Sequence, residues 1–344
     1  MAQQDLDFKN ILVIHFGQLG DVVLGIPAFR AIRERFPASR ITALLGKPGA
    51  DIVRLANVAD ELFAIDRVAL RDGNKLRSIA AIMRLVRDVR RRRFDLVIDL
   101  NSLSETNLLG FLSGAKHRLY ANRGNRSIDF LGHFRPEPSR WDSSKHAAER
   151  YLDVLRPLNI KADDKTLKFV IDENDVESVD DILGSPSDSD SKKTVGLFPG
   201  AGNLSRRWSL ENFAALADRL LKGDVRPVVM LGPEEAELKE TVTRIFPRGI
   251  VIIEGLTVAQ FIAAVSRLDV FVSNDTGAVH LASCGSVPIV LLLDRRAPTT
   301  YLPLAEELTI VRNETIDAIS VDDVFDAIMS QIATGGPNDK EYRK

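Results

Sequence analysis

The chain has 344 residues, of which 45% are apolar and 27% are charged, and its net charge at pH 7 is −2. This is the composition of an ordinary globular protein, long enough for two domains of typical size, and it excludes a largely disordered chain. The most apolar run, 287–293, is far shorter than the roughly 20 residues that a membrane-spanning helix needs, so it is interpreted as a buried strand.

Two features bear on where the protein works. The single cysteine, Cys284, excludes an internal disulfide, suits a reducing compartment, and is expected to be a small buried residue. The first ten residues lack the basic and apolar stretches of a secretory signal. We therefore expect a cytoplasmic protein, with peripheral contact at the cytoplasmic face of the inner membrane as a further expectation.

Charge is unevenly distributed along the chain. Residues 1–165 hold 28 Lys and Arg against 20 Asp and Glu, a balance of +8, which leaves −10 for the remainder. A basic half could attract an anionic partner, whereas attraction between the two halves is the alternative explanation. The cluster Arg90–Arg93 is open to the same two interpretations, because cations there could also complement a helix C-terminus.

Strand-length apolar runs alternate with amphipathic stretches, which predicts an α/β fold in two successive series. In the first series we predict strands at 10–15, 40–45 and 94–100 and helices at 25–35, 75–92, 102–112 and 145–158. In the second we predict strands at 194–198, 226–231, 250–253, 269–273 and 288–293 and helices at 209–221, 258–266 and 276–283. The polar segment 184–193 is expected to be a loop near the boundary. The predicted domains are 1–165 and 166–335, followed by a flexible tail at 336–344.

The first candidate site is the turn between the first strand and the first helix. Gly17, Gln18 and Gly20 would form the turn, and Asp21 would lie at the helix N-terminus, at the edge of a parallel sheet where ligands bind. Asp21 is then either a general base or only a helix cap. The turn matches neither the dinucleotide fingerprint nor the Walker loop, which weighs against dehydrogenase and NTPase functions.

Two junctions in the second series suit an anionic ligand. A glycine-rich turn at 200–202 precedes Arg206, whose guanidinium could hold a phosphate, although a loop with solvated arginines explains this segment equally well. The segment 274–278 joins a buried strand to a helix, whose free N–H groups could face a diphosphate. His280 would lie about one turn into that helix, where taken alone it would more often be a packing residue.

Six segments, in this order, resemble glycosyltransferase family 9, the ADP-heptose:lipopolysaccharide heptosyltransferases. They are GDVVLGIPAFRAIRERFP, RRFDLVIDL, KHAAERYLDVLRPLNI, FPGAGNLSRRWS, VVMLGPEE and IEGLTVAQFIAAVSRLDVFVSNDTGAVHLA. The last is the most distinctive, because it resembles the SNDSG-x-x-H-x-A region of that family. The resemblance spans most of the chain.

The resemblance implies a GT-B architecture, in which two Rossmann-like doubly wound domains face each other across a cleft. The first domain would bind the acceptor and the second the nucleotide-sugar donor. Asp21 would be the catalytic base and Arg206 a basic contact to the donor phosphate, at a position where the family often has Lys. The acceptor-side candidates are Gly17, Gln18 and Gly20. The donor-binding candidates are Gly200, Ala201, Gly202, Asp275, Thr276, Gly277, Ala278 and His280.

The implied reaction is an inverting transfer of a sugar, expected to be heptose from ADP-heptose, to a lipopolysaccharide-core or similar anionic glycolipid. Asp21 would accept the proton of the attacking hydroxyl. Arg206 and the helix N-terminus at 276–278 would stabilise the leaving diphosphate in place of a divalent ion, so neither a metal nor a cofactor is expected. No nucleic-acid partner is expected. The only Asp-x-Asp pattern, Asp188 to Asp190, is interpreted as part of a solvated loop.

One segment departs from the family pattern. After the strand ending at Leu293, family members commonly continue with Phe-Gly-Pro-Thr, whereas this chain has Asp-Arg-Arg-Ala-Pro at 294–298. The identity of the transferred sugar therefore stays open. Two alternatives also stay open: another GT-B nucleotide-sugar enzyme such as an epimerase, and a nucleotide-sugar-binding protein without turnover.

Overall fold

The computed structural model describes residues 7–66, 69, 75–124, 128–161, 164–183 and 192–334. The predicted tail at 336–344 and the Asp188 to Asp190 pattern lie outside the described residues. The chain divides into two compact units. Unit 1 comprises Met1–Val170 together with the short segment Thr299–Leu302, and unit 2 comprises Ile171–Pro298 and Pro303–Lys344.

Unit 1 contains a five-stranded parallel sheet in the order β3-β2-β1-β4-β5. Its strands are β1 Asn10–His15, β2 Arg40–Gly46, β3 Glu61–Ile65, β4 Leu96–Asp99 and β5 His117–Tyr120. Its helices are α1 Leu19–Arg35, α2 Lys47–Leu55, α3 Lys75–Arg91, α4 Ser104–Leu112 and α5 Ala147–Val154. The strand order reverses between β1 and β4, and ligands of such sheets bind at the carboxyl ends of the strands at that point.

Unit 2 contains a six-stranded parallel sheet in the order β11-β10-β9-β6-β7-β8. Its strands are β6 Thr194–Phe198, β7 Arg226–Leu231, β8 Val251–Glu254, β9 Val270–Asn274, β10 Ile289–Asp294 and β11 Leu308–Asn313. Its helices are α6 Glu173–Leu183, α7 Leu210–Lys222, α8 Lys239–Ile245, α9 Val258–Val265, α10 Gly277–Ala282 and α11 Val321–Ala333. This is the doubly wound dinucleotide-fold order, and its reversal lies between β6 and β9.

The central strands are buried on both faces, as the sequence requires. Ile11, Leu12, Val13 and Ile14 of β1 are fully buried, because a parallel sheet covered by helices on both sides needs continuous apolar runs rather than alternation. The predicted strands in both series are confirmed to within a few residues.

Two helix predictions needed correction. The helix expected at 25–35 begins at Leu19, because the glycines and Pro27 in its first half lowered its helical signal although tertiary packing holds it. The helix expected at 145–158 ends at Val154 and continues as a separate 3-10 turn, Arg156–Leu158. Within the described ranges, no helix is both long and apolar enough to cross a membrane.

Candidate active site

The turn after β1 is built around Gly17. A Cβ atom on this residue would lie 2.3 Å from the Cβ of Asp21 and 2.7 Å from Cε1 of His15, so only glycine fits here without displacing one of them. The Gly17 N–H donates to His15 Nδ1 at 3.2 Å. The turn therefore fixes where Asp21 stands at the carboxyl end of β1, beside the reversal point of the sheet.

Asp21 is a helix cap in the structure, as the simpler of the two interpretations expects. Its Oδ2 accepts the Gln18 N–H at 3.0 Å, one residue before α1 begins. No hydrogen bond reaches Oδ1 from the part of the chain that the structure describes. The cap thus uses Oδ2 to hold the side chain in place and leaves Oδ1 available to accept a proton. Asp21 can therefore be both a helix cap and a general base.

His15 lies directly beneath this turn and is fully buried. Burial lowers the pKa of His15 to about 4, although the neighbouring Asp21 charge acts in the opposite direction. The imidazole is therefore neutral near pH 7. Because Nδ1 accepts from Gly17, Nε2 carries the hydrogen, and the ring packs edge-on to Tyr151 with centroids 4.7 Å apart.

We predict that His15 makes folding stability pH-dependent. The unfolded pKa is 6.5 and the folded pKa about 4, so between these values the unfolded chain binds more protons, and stability is lost as the pH falls through that window. At pH 4.5 the loss attributable to His15 should be about 2–3 kcal/mol relative to pH 7. His15→Gln, which cannot titrate, should therefore lose less stability than the wild type over this range in urea unfolding.

The wild type must be compared with His15→Gln because a second buried group, Asp99, also makes stability depend on pH. Burial raises the pKa of Asp99 to about 6, with hydrogen bonds from Thr106, Ser102, Asn101 and Asn107 opposing it. A raised carboxyl pKa gives a slope of the opposite sign, so stability increases as the pH falls from 6. Since Asp99 is present in both proteins, its contribution cancels in the difference. Parallel pH profiles for the wild type and His15→Gln would contradict the assignment to His15.

In unit 2, Asn274 at the end of β9 holds the glycine-rich turn that follows β6. Its Nδ2 donates to the carbonyl oxygens of Pro199 and Gly200, both at 3.1 Å, and its Oδ1 accepts the Trp208 N–H at 3.0 Å. Trp208 is fully buried, and its Nε1 donates to Ile319 O at 2.9 Å. Asn274 thus holds the residues before and after this turn, at the point between β6 and β9 where the strand order reverses.

Arg206 and Asp275 form an ion pair on this edge, with Arg206 Nη1 3.0 Å from Asp275 Oδ2. Burial raises the pKa of Asp275, and the Arg206 charge opposes this. Nearly half of the Arg206 side chain is exposed, at 47%, against 24% for Asp275. A carboxylate would repel a diphosphate, so Asp275 is better suited to orienting the Arg206 guanidinium than to touching phosphate itself.

The start of α10 is capped by Thr276, whose Oγ1 accepts the Ala278 N–H at 3.4 Å. This helix is only six residues long and passes into the 3-10 turn Ser283–Gly285. His280 is buried, and its carbonyl oxygen accepts from Ser283 Oγ at 2.6 Å and from Cys284 Sγ at 3.4 Å. Cys284 is buried as expected, and burial raises the pKa of its thiol.

Glu235, which the sequence patterns did not single out, contacts the glycine-rich turn. It lies in the 3-10 turn Pro233–Leu238 after β7 and is 7% exposed. A Cβ on Gly200 would lie 2.2 Å from Glu235 Oε1, so glycine is needed for this approach. Burial and the neighbouring Glu234 raise the pKa of Glu235. The signal that could have identified it is the VVMLGPEE segment, in which a charged residue follows a buried strand.

The structure thus groups the predicted residues into two clusters, each within one unit. Asp21 and its turn residues lie in unit 1, at the end of β1. The donor-side candidates lie in unit 2, at the adjacent ends of β6 and β9.

The segment 294–298, which departs from the family pattern, is held by an internal ion pair. Asp294 contacts Arg296 through two hydrogen bonds of 3.1 Å. No group of three or more His, Cys, Asp or Glu side chains suited to a metal ion occurs among the described residues.

Comparison with known structures defines the class of fold. A glycosyltransferase family 9 protein from Veillonella parvula matches with a TM-score of 0.83 and 23% identity, over 96% of this chain and 99% of that one. The Escherichia coli heptosyltransferase WaaC with ADP matches with a TM-score of 0.75 and 15% identity, over 94% of this chain and 99% of that one. The fold is therefore the GT-B fold, as predicted.

Sequence comparison defines the family. The model of "Glycosyltransferase family 9 (heptosyltransferase)" matches residues 82–324, and the chain belongs to this family of glycosyltransferases. Among curated relatives, the lipopolysaccharide core heptosyltransferase OpsX of Haemophilus influenzae is 19% identical over 299 residues, which cover 86% of this chain and 82% of the relative. The resemblance noted in the six sequence segments is confirmed.

Proposed function

We propose that this chain is an inverting heptosyltransferase that uses ADP-heptose and a lipopolysaccharide-core or similar anionic glycolipid acceptor. The observation that carries the proposal is the placement of the glycine-rich turn and Arg206 at the reversal point of the unit 2 sheet, where doubly wound folds bind nucleotides. The structural neighbour WaaC was solved with ADP, which supports an ADP-containing donor. Unit 1 is the proposed acceptor domain and unit 2 the proposed donor domain.

In this mechanism Asp21 removes the proton of the acceptor hydroxyl as the oxygen attacks the anomeric carbon. Attack opposite the leaving diphosphate inverts the anomeric configuration in one displacement. Arg206, held by Asp275, neutralises charge that develops on the leaving group. The backbone N–H of Gly277 contributes alongside it, whereas that of Ala278 is donated to Thr276 Oγ1, and the brevity of α10 makes Arg206 the larger contributor.

We predict that the reaction needs no divalent ion, because the proposed stabilisation of the leaving group is supplied by the Arg206 guanidinium and the Gly277 backbone N–H. Transfer rates should be equal after dialysis against EDTA and after addition of magnesium or manganese. The control is a metal-dependent glycosyltransferase treated in parallel, to show that the chelation was complete. Loss of activity with EDTA and its recovery with either ion would contradict this part of the mechanism.

The surface of α3 supports peripheral contact with an anionic membrane. Ile79, Ile82 and Met83 are 54%, 48% and 62% exposed, and their spacing places them together on one stripe of the helix. Arg84 and Arg87 are exposed on the same helix. An apolar stripe next to a band of arginines is typical of helices that lie in the interface of a bilayer with anionic lipids.

The structure assigns a different role to part of the Arg90–Arg93 cluster. Arg92 forms an ion pair with Glu61 of β3 and lies 4.4 Å above the ring of Phe63. Its charge is therefore used within unit 1, so substituting it would confound any test of membrane contact. The exposed arginines earlier in α3 are better choices.

We predict that Arg84→Gln combined with Arg87→Gln weakens binding to vesicles of mixed phosphatidylcholine and phosphatidylserine by about tenfold or more, since each basic residue near such a surface contributes about 1 kcal/mol. Sedimentation with vesicles measures the effect, and pure phosphatidylcholine vesicles and 0.5 M salt should weaken wild-type binding similarly. Arg54→Gln on α2, an exposed arginine paired with Asp51, is the matched control. Equal vesicle binding by the wild type, the double variant and Arg54→Gln would show that α3 does not contact the membrane.

A further inference from the structure

Arg150 of unit 1 is a buried arginine with an unfilled hydrogen-bonding edge. It lies on α5 and is 5% exposed. Its Nε and Nη2 atoms are buried and have no hydrogen-bond partner among the described residues. Leaving a buried charge without hydrogen bonds is costly, so this arrangement calls for an explanation.

The unfilled edge has the geometry that binds a planar oxyanion. In the same protein, Arg267 holds the carboxylate of Asp180 through its own Nε and Nη2, at 2.8 and 3.1 Å. Two parallel N–H donors match two oxygens of a carboxylate or phosphate, and this bidentate pairing is the strong form of the contact. Arg150 presents the same pair of donors without an acceptor.

Aromatic rings cover the faces of this guanidinium. Its Cζ lies 5.1 Å from the ring centroid of Trp141 and 4.7 Å from that of Tyr301, within the range of cation–π attraction. A second arginine, Arg123, lies 5.0 Å from the Trp141 ring, and its Nε also has no partner in the described ranges. The rings offset part of the burial cost, but they leave the donor edges unsatisfied.

The acidic side chains of the neighbouring segment are already engaged. Asp142 is exposed and accepts from Ser144. Glu149 pairs with Lys165, and Asp153 pairs with Lys145. None of these carboxylates forms an ion pair with Arg150 or Arg123. An oxyanion supplied by a ligand would complete the hydrogen bonding of the two arginines.

A series of packed rings connects this arginine cluster to the turn that carries the proposed base. The Tyr151 ring lies 4.7 Å from that of His15, beneath the Asp21 turn, and 6.1 Å from that of Trp141. Burial raises the pKa of Tyr151; the charge of Asp21 adds to this, whereas Arg150 and Arg123 oppose it. The buried Tyr151 side chain thus interacts electrostatically with Asp21 and with both arginines.

We propose that Arg150 and Arg123 form a binding site for an oxyanion of the acceptor, a carboxylate or phosphate carried near the hydroxyl that Asp21 deprotonates. This inference rests on the proposed function, because it assigns the ligand to the acceptor. Tyr301, whose ring covers one face of Arg150, is 39% exposed. The site selects acceptors by charge and orients the attacking hydroxyl.

The test is equilibrium binding to the full chain without donor. The protein contains two tryptophans, of which Trp208 is fully buried in unit 2, so fluorescence changes on ligand binding should come from Trp141. Glucuronate, glucose 6-phosphate and glucose are titrated at constant ionic strength. Saturable changes with one or both of the charged sugars, and none with glucose, are expected. The preference between the two charged sugars identifies the oxyanion as carboxylate or phosphate.

Three variants complete the experiment. Arg150→Lys keeps the charge but has no bidentate edge, so the dissociation constant should rise about tenfold or more, and Arg123→Gln should weaken binding in the same direction if Arg150 variants fold poorly. Arg156→Gln is the matched control, because Arg156 is exposed just beyond α5 and pairs with Asp153. It should bind as the wild type does.

Equal binding of charged and neutral sugars, or unchanged affinity in folded Arg150→Lys and Arg123→Gln, would overturn this inference. Because no donor is present, that outcome leaves sugar transfer itself unaffected. Conversely, selective oxyanion binding by a protein that transfers no sugar would support the site and contradict the proposed function.

Discussion

Replacing Asp21 with Asn is expected to lower the rate of sugar transfer by at least about a hundredfold, the usual lower scale for losing general-base catalysis. The donor affinity should be nearly unchanged, because the donor-side residues lie in unit 2. Asn has the size of Asp, and its side-chain oxygen can still accept the Gln18 N–H that Asp21 accepts at 3.0 Å. The substitution therefore removes basicity while keeping the helix cap.

Steady-state kinetics with saturating donor measure this effect, and thermal unfolding confirms that the variant is folded. His15→Gln is a useful companion, because it changes a neighbour of the same turn without removing the carboxylate. Transfer by Asp21→Asn at nearly the wild-type rate would show that Asp21 is a cap alone. The base would then have to be another residue.

The second large effect is expected for Arg206→Gln, which should lower kcat by about a hundredfold or more, the scale seen when one preorganised group is removed from a developing negative charge. The guanidinium is half exposed and is oriented by Asp275 at 3.0 Å. Arg206→Lys keeps the charge and should retain much of the activity, with a loss that reflects its different geometry. Asp275→Asn should have a smaller effect than Arg206→Gln.

Arg207→Gln is the matched control, since it removes the adjacent guanidinium, which is not in that ion pair, and should have a smaller effect on kcat. Product-release and binding effects are separated by single-turnover measurements. If Arg206→Gln and Arg207→Gln reduced kcat equally, the charge of the loop as a whole would matter rather than the position of Arg206. If neither changed kcat, stabilisation of the leaving group would have to come from elsewhere.

The central strands are predicted well from the sequence, because a strand buried on both faces must be a nearly continuous apolar run. β1, β9 and β10 are such runs. The edge strand β5, with the sequence His-Arg-Leu-Tyr, is short and half polar, so it carries no comparable pattern. It forms because β4 offers it a parallel partner, which is a tertiary effect.

The candidate site is predictable only where one local pattern carries the whole signal. The strand-turn-helix pattern predicts that Asp21 lies at the N-terminus of the first helix, and the structure has it in the first turn of α1, since the glycines and the helix are adjacent in the sequence. The arginine cluster around Trp141 is different, because Arg123, Arg150 and Tyr301 come together only through the fold. The return of segment Thr299–Leu302 to unit 1 likewise has no local sequence signal.

The most direct test of the proposed heptosyl transfer is to incubate the chain with ADP-heptose and a panel of truncated lipopolysaccharide-core acceptors and to follow both substrates by mass spectrometry and NMR. One acceptor is expected to gain a single heptose with inverted anomeric configuration, with one ADP released per transfer, and Asp21→Asn is expected to abolish nearly all of this product. Conversion of the donor to an epimer without an acceptor product, or binding of the donor with no turnover on any acceptor, would contradict the proposed heptosyl transfer.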